Sequence, residues 1–459
     1  MRNYIKHTTG LMLFILAALL LMNFLPPITV GEHTLREVDI LSDIRRPSFE
    51  EDEPQEDSLL LAPPPIIKPA FVDSCKQGMT CIEDYSDSTL RGMTAFYEKL
   101  SEINNLKRPV RVAVFGDSFI EADIFTADLR EMLQQKYGGC GVGFVNITST
   151  TYGFRPTVRH AFNGWESHSV NDSIGFVKNK QGPNNHYFIP TRGAYMELRG
   201  QTKYASKLDT CQQSTIYFLT DEPLMLTAEV NKQKNAPSEF TASPDMQQMS
   251  VKGNIGSVRW IVNSDTDALF FGATMDGLSG ISVDNFSLRG SSGLSLATIP
   301  EHTMMQFNKL RTYDLIILQF GLNVATQRGS DYHYYKVGML RSVEYIKRCF
   351  PQASILLVSV GDRNYKSETG EMRTMPGVKN LIKYQQNIAA EGNIAFWNLY
   401  EAMGGEGGMV KLVNAKPAQA NMDYTHINFR GGKVLSKLLY ESLVYGKEQF
   451  DKKKAYEAE

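Results

Sequence analysis

The sequence has few cysteines, no strong excess of either charge and only one long hydrophobic run. Its five cysteines and eight histidines include no C-x-x-C pair and no cluster with zinc-ligand spacing, so a metal site is not expected. The formal net charge of −2 provides no broad basic surface of the kind that binds nucleic acid. A content of 42% hydrophobic and 21% charged residues excludes a disordered chain, a collagen-like fibre and a polytopic membrane protein.

The one long hydrophobic run lies close to the N-terminus. Arg2 and Lys6 precede an apolar stretch that extends from Leu11 to Leu25. Positive charge followed by such a stretch is typical of an export signal. We expect residues 1–27 to form an uncleaved membrane anchor. A cleaved signal peptide is the main alternative and a buried helix of a soluble protein is another, because 15 residues are few for a spanning helix.

The next segment, residues 28–84, is predicted to be a linker. Glu50–Glu53 form an acidic run and Pro63–Pro65 favour extended polyproline geometry, so this segment cannot bury enough apolar surface to fold alone. Near its end, Cys75 and Cys81 could close a small loop in an oxidising compartment. The odd cysteine count leaves at least one free thiol.

Strand-like and helix-like patterns alternate over much of the remaining chain, which predicts an α/β domain whose parallel sheet is covered on both faces. This domain is expected in two parts, residues 85–143 and 281–446, followed by a charged tail at 447–459. The predicted strands are 110–115, 313–320, 354–360 and 394–397, and the predicted helices are 89–106, about 120–133, 334–349, 378–390 and 431–444.

The pattern differs between residues 144 and 280, where turn residues separate short strands and no long helical period occurs. This stretch is predicted to be an all-β, sandwich-like insert that interrupts the α/β domain after its first helix. Its predicted strands are 214–219, 224–230, 258–262 and 269–271.

Ser118 is the first candidate for chemistry. It follows a buried strand, and the apolar spacing after it predicts that it opens a helix. A serine at a helix N-terminus can be a nucleophile whose own N–H helps to stabilise an oxyanion. The alternative is a helix cap, since serine is a preferred N-cap residue.

Further candidates lie beyond the insert. Asp423 and His426 are three residues apart just before the last predicted helix, and could provide a carboxylate and a base for a serine nucleophile. Asn323 follows a predicted strand, so it is expected at the carboxyl edge of the sheet, where open α/β sheets bind ligands. Gly290 could contribute a backbone N–H. Each signal is weak in isolation, and turn roles are the alternatives for the last two residues.

Four blocks stand in this order along the chain: Val114-Phe115-Gly116-Asp117-Ser118, Gly290, Gly321-Leu322-Asn323 and Asp423-x-x-His426. In combination they resemble the motifs of the SGNH (GDSL-type) hydrolases. The third block departs from the usual pattern, because Val324 stands where the family commonly has an aspartate; Asn323, which carries the expected role, is present.

This resemblance implies a flavodoxin-like sheet and assigns roles to five residues. Ser118 would be the nucleophile, His426 the base and Asp423 the acid that orients the base. The N–H groups of Ser118 and Gly290 and the side-chain amide of Asn323 would form an oxyanion hole. The implied chemistry needs no metal and no organic cofactor.

A narrower likeness is to periplasmic esterases and transferases that act on O-acetyl groups of peptidoglycan. It rests on Leu129-Arg130 to Gly143-Phe144-Val145, on the β-rich insert, and on Phe396-Trp397 to Met403-Gly404-Gly405. It implies a carbohydrate-binding insert and a serine esterase that removes acetyl groups from a cell-envelope glycan through an acyl-enzyme. The expected location is the periplasmic face of the inner membrane, to which the N-terminal anchor would attach the protein.

Two alternatives remain open at this point. An O-acetyltransferase would use the same residues, with a sugar hydroxyl replacing water in the second step. A non-catalytic glycan-binding envelope protein is the other alternative. In each reading the expected partners are an acetylated glycan and the membrane, and no nucleic acid.

Overall fold

The computed structural model describes residues 75–86, 92–172 and 174–458, together with residues 10, 14, 29–30 and 33–34. The chain divides into two compact units, residues 1–59 and 60–459. In the first unit, β1 (Thr29–Val30) pairs antiparallel with β2 (His33–Thr34). Apart from residues 10 and 14, the predicted anchor lies outside the described residues, and so does most of the predicted linker. Within the described part of the chain, no helix has the length and apolar character needed to cross a membrane.

The second unit alternates strands and helices at both ends and contains a long run of strands between them. Its strands are β3 (Glu83–Asp84), β4 (Val110–Gly116), β5 (Gly143–Val145), β6 (Arg159–Ser169), β7 (His186–Arg199), β8 (Cys211–Thr220), β9 (Leu224–Val230), β10 (Gln233–Lys234), β11 (Ser238–Phe240), β12 (Ser243–Ile255), β13 (Ser257–Val262), β14 (Leu269–Asp276), β15 (Ile281–Ser287), β16 (Leu315–Gln319), β17 (Ser354–Val358), β18 (Asn364–Lys366), β19 (Met372–Thr374) and β20 (Ala395–Trp397). Its helices are α1 (Thr94–Ser101), α2 (Thr126–Tyr137), α3 (Glu301–Leu310), α4 (His333–Cys349), α5 (Pro376–Glu391), α6 (Leu399–Ala402), α7 (Gly408–Asn414) and α8 (Phe429–Ala458).

The α/β part is organised around a six-stranded sheet with the order β15-β4-β16-β17-β20-β3. All neighbours are parallel except β3, which runs antiparallel to β20. The five parallel strands, numbered along the chain, have the order 2-1-3-4-5, which is the flavodoxin-like order. Every residue of β16, β17 and β20 is buried, as expected for strands covered on both faces. The predicted α/β fold with a parallel sheet is therefore confirmed.

Most predicted strands and helices of this part agree with the structure, but the last helix is longer than predicted. Helix α8 continues through the predicted charged tail to Ala458. Lys447 and Asp451 form an i,i+4 ion pair along it (2.5 Å), and the Phe450 ring lies 5.9 Å from the Tyr97 ring of α1. These contacts explain why a charged sequence remains helical here.

The folded part also begins earlier than predicted, because residues 75–86 pack against it. The β3 strand pairs with β20, and the Thr80 carbonyl accepts hydrogen bonds from Trp397 Nε1 (2.9 Å) and Ser442 Oγ (2.6 Å). Cys75 and Cys81 form a disulfide. The predicted linker over 28–84 is therefore too long at its C-terminal end. A two-residue strand gives no readable hydrophobic period, which is why the sequence did not reveal it.

The insert is all-β, as predicted. Strands β5 to β14 belong to one hydrogen-bonded sheet whose pairs are all antiparallel, and they enclose a separate hydrophobic core that includes Phe188, Phe218, Trp260 and Phe270. Three long strands, β6, β7 and β12, were not predicted. They have mixed polar and apolar residues with many exposed positions, so they lack the apolar runs by which the other strands were recognised.

A buried cluster of charges joins the insert to the parallel sheet. Arg311, which follows α3, contacts Asp276 at the end of β14 and Asp284 in β15, both at 2.6 Å. Asp284 also accepts the N–H of Phe144 in β5 (2.9 Å). Burial alone would lower the pKa of Arg311, but the two carboxylates raise it well above its ordinary value. The first and last strands of the insert are thereby fixed against β15.

Candidate active site

Ser118 lies in the turn that follows β4 and not at the start of a helix. The Glu121 N–H donates to the Ser118 carbonyl (3.4 Å), and a short 3-10 turn follows at Glu121–Asp123. Helix α2 begins only at Thr126, with Phe125 at its N-cap position. The prediction that Ser118 opens a helix is therefore wrong, and so is the alternative that it caps one.

The physical reason for this difference is a break in the backbone path. Ala122 and Asp123 have positive φ angles of 53° and 66°, which a continuous right-handed helix does not allow. Ile120 and Phe125 are buried although they lie outside α2. Their burial in the loop produced the apolar spacing that was interpreted as helical.

The structure brings Ser118, His426 and Asp423 into one row of hydrogen bonds. Ser118 Oγ lies 3.0 Å from His426 Nε2, and His426 Nδ1 lies 2.8 Å from Asp423 Oδ2. Because the carboxylate can only accept, the proton on this side of the ring belongs to Nδ1, and Nε2 is left to accept from the serine hydroxyl. A serine activated by an oriented imidazole is the arrangement that acyl transfer requires.

The loop that carries Asp423 and His426 is fixed by the same carboxylate. Asp423 Oδ1 accepts the backbone N–H groups of Thr425 and His426, both at 3.0 Å. Partial burial alone would raise the pKa of Asp423, but these hydrogen bonds and the His426 ring lower it below its ordinary value. Asp423 is therefore held as a carboxylate. The His426 and Asp423 side chains remain 39% and 48% exposed, so the site is open to water.

The strand register places the other two candidates at the same edge of the sheet. Gly116, the last residue of β4, is in register with Ser287 of β15 and with Gln319 of β16. The three strands thus end at one level. Gly290 follows one neighbouring strand and Asn323 follows the other, as Ser118 follows β4.

Asn323 and Gly290 are linked through the short segment after β15. Asn323 Nδ2 donates to the Ser291 carbonyl (3.0 Å), which leaves the second hydrogen of this amide for another acceptor. Gly290 is exposed and has a φ of 78°, a backbone conformation that favours glycine. The predicted candidates therefore share one edge, with backbone and amide donors in the segments that follow the two strands flanking β4.

Asp117 is a functional candidate to which the sequence analysis assigned no role. Its side chain is fully buried, and Oδ1 accepts the Phe119 N–H (2.9 Å), which fixes the turn around Ser118. Burial raises the pKa of Asp117 to about 6, against the opposing effects of the Phe119 and Leu322 N–H groups and of His426. Its position beside Ser118, at the end of a buried strand, was the available signal.

Asp123 anchors the other end of the same loop. It is fully buried and contacts Arg130 (3.3 Å) and Arg155 (2.8 Å), and it accepts a hydrogen bond from Thr157 Oγ1. Although burial opposes ionisation, the two guanidinium groups lower the pKa of Asp123 far below its ordinary value. Because Arg155 and Thr157 precede β6, the insert helps to hold the loop in its left-handed conformation.

No group of three or more histidine, cysteine, aspartate or glutamate side chains among the described residues is arranged to hold a metal ion. Around Ser118 the structure places an imidazole and a carboxylate joined to the serine hydroxyl by hydrogen bonds.

Comparison with known proteins identifies the fold. No family model and no curated protein matches the chain. A solved structure described as a peptidoglycan O-acetylesterase matches with a TM-score of 0.66 and 20% identity, over 80% of this chain and 99% of that one. The match leaves out only a fifth of this chain, less than the insert alone, so it includes strands of the insert as well as the α/β part.

Other solved structures show much weaker similarity. A family two carbohydrate esterase from Clostridium thermocellum has a TM-score of 0.27 and 10% identity, over 63% of this chain and 99% of that one. Est24, a carbohydrate acetylesterase from Sinorhizobium meliloti, has a TM-score of 0.27 and 12% identity, over 36% and 79%. These two carry no argument. The first match and the strand order show that the chain shares its fold with that solved structure and combines a flavodoxin-like parallel sheet with a β-rich insert, which is the fold that the resemblance implied.

The raised pKa of Asp117 predicts a specific pH dependence of stability. The folded pKa is about 6 and the ordinary value is 3.8, so between these values the folded protein binds more protons than the unfolded chain. The wild type should therefore lose stability through this group as the pH rises from about 4 to about 6. Asp117→Asn keeps an oxygen for the Phe119 N–H but does not titrate.

Relative to wild type, the free energy of unfolding of Asp117→Asn should rise over this range by up to about 3 kcal/mol and then level off. Chemical denaturation of both proteins at a series of pH values measures this difference. A difference that does not change with pH would contradict a raised pKa at Asp117.

Proposed function

We propose that this protein is a serine esterase that removes O-acetyl groups from a cell-envelope glycan. The observation that carries the proposal is the hydrogen-bonded row of Ser118, His426 and Asp423 at the carboxyl edge of an SGNH-type sheet. A scaffold that only binds glycan has no need for a serine hydroxyl directed at an oriented imidazole, so this row counts against the non-catalytic alternative.

The first chemical step follows from the geometry. Ser118 Oγ attacks the acetyl carbonyl carbon while His426 Nε2, 3.0 Å away, takes the hydroxyl proton. Asp423 stabilises the imidazolium that forms. When the tetrahedral intermediate collapses, the C–O bond to the sugar breaks, and His426 returns the proton to the departing sugar oxygen.

The second step releases acetate. A water molecule attacks the acetyl group on Ser118, His426 accepts a proton from this water, and the bond to Ser118 Oγ breaks as the serine regains its proton. In both steps the carbonyl oxygen becomes negatively charged. We assign its stabilisation to the N–H groups of Ser118 and Gly290 and to the free amide hydrogen of Asn323.

Two observations support the substrate class: the matching solved structure and the presence of the insert. The matching solved structure is described as a peptidoglycan O-acetylesterase, and the match covers nearly the whole of its chain. The insert supplies a second surface next to the catalytic edge, which a polymer can use and a small ester cannot. We therefore propose an acetylated glycan of the cell envelope as substrate and the insert as a contributor to its binding.

We also propose that the protein is exported and held at the periplasmic face of the inner membrane by residues 1–27. The positive charges and the apolar run at the N-terminus support export. The Cys75–Cys81 disulfide supports it independently, because such bonds persist in oxidising compartments.

Hydrolysis is favoured over transfer to a sugar hydroxyl by the exposure of the site. The His426 and Asp423 side chains are more than a third exposed, so the base that would activate water is itself in contact with solvent. A transferase benefits from excluding water from the same intermediate.

The experiment that tests the proposal is acetate release from purified cell-envelope polysaccharides, with and without an added acceptor sugar. Wild-type protein should release free acetate in both conditions, and Ser118→Ala should release none while its stability stays within about 1 kcal/mol of wild type. Acetate release that persists in Ser118→Ala would exclude Ser118 as nucleophile. Acetylated acceptor in place of free acetate would identify a transferase.

A turn of the insert next to the loop that carries Ser118 and Asp123 presents two exposed aromatic rings. Tyr152 is 52% and Phe154 77% exposed, and the Tyr152 ring is supported by an edge contact with Phe162 (5.3 Å). Arg155, the next residue, is the one that contacts Asp123 at 2.8 Å. The rings are thus held beside the loop that carries Ser118, where they can stack on the apolar faces of sugar rings.

Replacing Phe154 by alanine should therefore raise the KM for acetylated polysaccharide about 5- to 10-fold, because the loss of one such contact corresponds to about 1 kcal/mol. Turnover of a small aryl acetate should not change. Tyr334→Ala, which removes an exposed ring (85%) from α4 outside the insert, is the control and should leave both substrates unaffected. Equal loss on both substrates would show that Phe154 shapes the catalytic centre and does not bind glycan.

A further inference from the structure

Two segments of the molecule meet beside the predicted oxyanion site. The first consists of residues 170–172 and 174–186 of the insert, called here the insert strap. The second is residues 288–298, which connect β15 to α3 and contain Gly290; it is called here the donor segment. Side-chain amides of the strap form hydrogen bonds with the donor segment at three separated points.

Two of these points lie at the ends of the donor segment. Asn171 Nδ2 donates to the Arg289 carbonyl (2.9 Å), directly before Gly290. Gln181, which is fully buried, donates through Nε2 to the Thr298 carbonyl (2.7 Å). Gln181 Nε2 also lies 3.2 Å from Thr298 Oγ1. These contacts fix where the segment begins and ends.

Asn185 makes the central and most specific contact. Its Nδ2 donates to the Ser295 carbonyl (3.1 Å), and its Oδ1 accepts from Ser295 Oγ (3.2 Å). Nδ2 also donates to Gln181 Oε1 (2.9 Å). The Asn185 side chain is buried, so leaving its amide without these partners would be costly.

The backbone of Asn185 has a φ of 58°, a conformation that non-glycine residues seldom adopt. Asparagine is among the residues that tolerate it best. The turn therefore adopts an unusual conformation that directs an amide side chain at the donor segment. Such a conformation persists only where surrounding contacts determine it.

The donor segment in turn connects to both predicted donors. It contains Gly290, and its Ser291 carbonyl accepts one hydrogen of the Asn323 amide (3.0 Å), which orients the other hydrogen. On the side away from the strap, Ser342 Oγ of α4 donates to the Gly293 carbonyl (3.0 Å). The segment is thus held between α4 and the insert, and its position determines where the two donors lie.

We infer that Asn185 is a positioning residue for the oxyanion hole, and that the insert strap is part of the catalytic apparatus of this enzyme. The inference rests on the proposed esterase function. Asn185 touches no substrate. It holds Ser295 and thereby positions the donor segment, which in turn places the Gly290 N–H and the Asn323 amide. These donors stabilise the carbonyl oxygen when negative charge develops on it in the transition state.

This role predicts a particular kinetic signature for Asn185→Gly. Glycine accepts the positive φ, so the substitution removes the amide side chain without forcing the turn to change. Looser donors should stabilise the transition state less while binding the ground state equally. The kcat for an aryl acetate should fall about 10-fold with KM nearly unchanged, a smaller loss than the 10²–10³ that follows complete removal of a donor.

A second readout separates positioning from simple loss of folded protein. A boronic acid that forms a tetrahedral adduct with Ser118 places a negatively charged oxygen in the oxyanion hole. Its inhibition constant should rise about 10-fold in Asn185→Gly. Loss of folded protein lowers apparent kcat but leaves this constant unchanged, because the remaining molecules are intact. Ser295→Ala, which removes one partner of the same contact, should shift both values in the same direction.

Asn231→Gly is the matched control. Asn231 is also an insert asparagine with positive φ (50°), and its Oδ1 accepts the N–H groups of Gly256 and Ser257, but all these contacts lie within the insert. This variant should keep wild-type kcat and inhibition constant even if its melting temperature falls.

The possible results separate the inference from the proposed function. Lower kcat with a weaker boronic acid, in Asn185→Gly but not in Asn231→Gly, supports the inference. Wild-type values in Asn185→Gly, or a lower kcat with an unchanged inhibition constant, would overturn it and leave the esterase proposal standing. A wild-type protein that hydrolyses neither aryl acetate nor acetylated polysaccharide would overturn both.

Discussion

The parallel pairing of β4 with β15 on one side and β16 on the other is the constraint on which the rest of the site depends. Gly116, Ser287 and Gln319 stand at one level across these strands, so the loops that follow them begin at the same edge. A shift of register on either side would move a loop away from Ser118 by a residue spacing of about 3.3 Å, more than a hydrogen bond tolerates. The loop with His426 and Asp423 then completes the row from a distant part of the sequence.

Because β15 directly follows the insert in sequence, the folding of the insert affects how β15 pairs with β4. The chain leaves the α/β part after α2, forms the antiparallel sheet and returns as the strand next to β4. Arg311 fixes the return through two buried carboxylates, and Asp123 fixes the loop after Ser118 through Arg155 from the insert. Removing one partner from such buried pairs is far more damaging than breaking a surface pair. The insert therefore supports the catalytic edge in addition to any glycan that it binds.

Elements with a regular apolar pattern, and candidate residues that follow such strands, could be predicted from the sequence. Buried parallel strands such as β16 and β17 are near-continuous apolar runs, and Asn323 lies four residues beyond the end of β16, so the sheet and this candidate were both predictable. The backbone path after Ser118 could not be predicted, because the buried apolar residues of this loop have the same spacing in the sequence as those of a helix. Only the positive φ angles of Ala122 and Asp123, which the structure shows, distinguish the two. Asn185 and Ser295 are 110 positions apart in the sequence and are joined by two hydrogen bonds, and no local pattern in the sequence marks such a contact.

The central claim is that Ser118 is a nucleophile activated by His426. Treatment of the full chain with a serine-directed fluorophosphonate, followed by peptide mapping by mass spectrometry, tests it without assuming any substrate. The account predicts a single stoichiometric adduct on Ser118, and its loss in His426→Ala, because the base that takes the hydroxyl proton is then missing. An unmodified Ser118 in the wild-type protein, or an adduct that forms equally fast without His426, would contradict the claim.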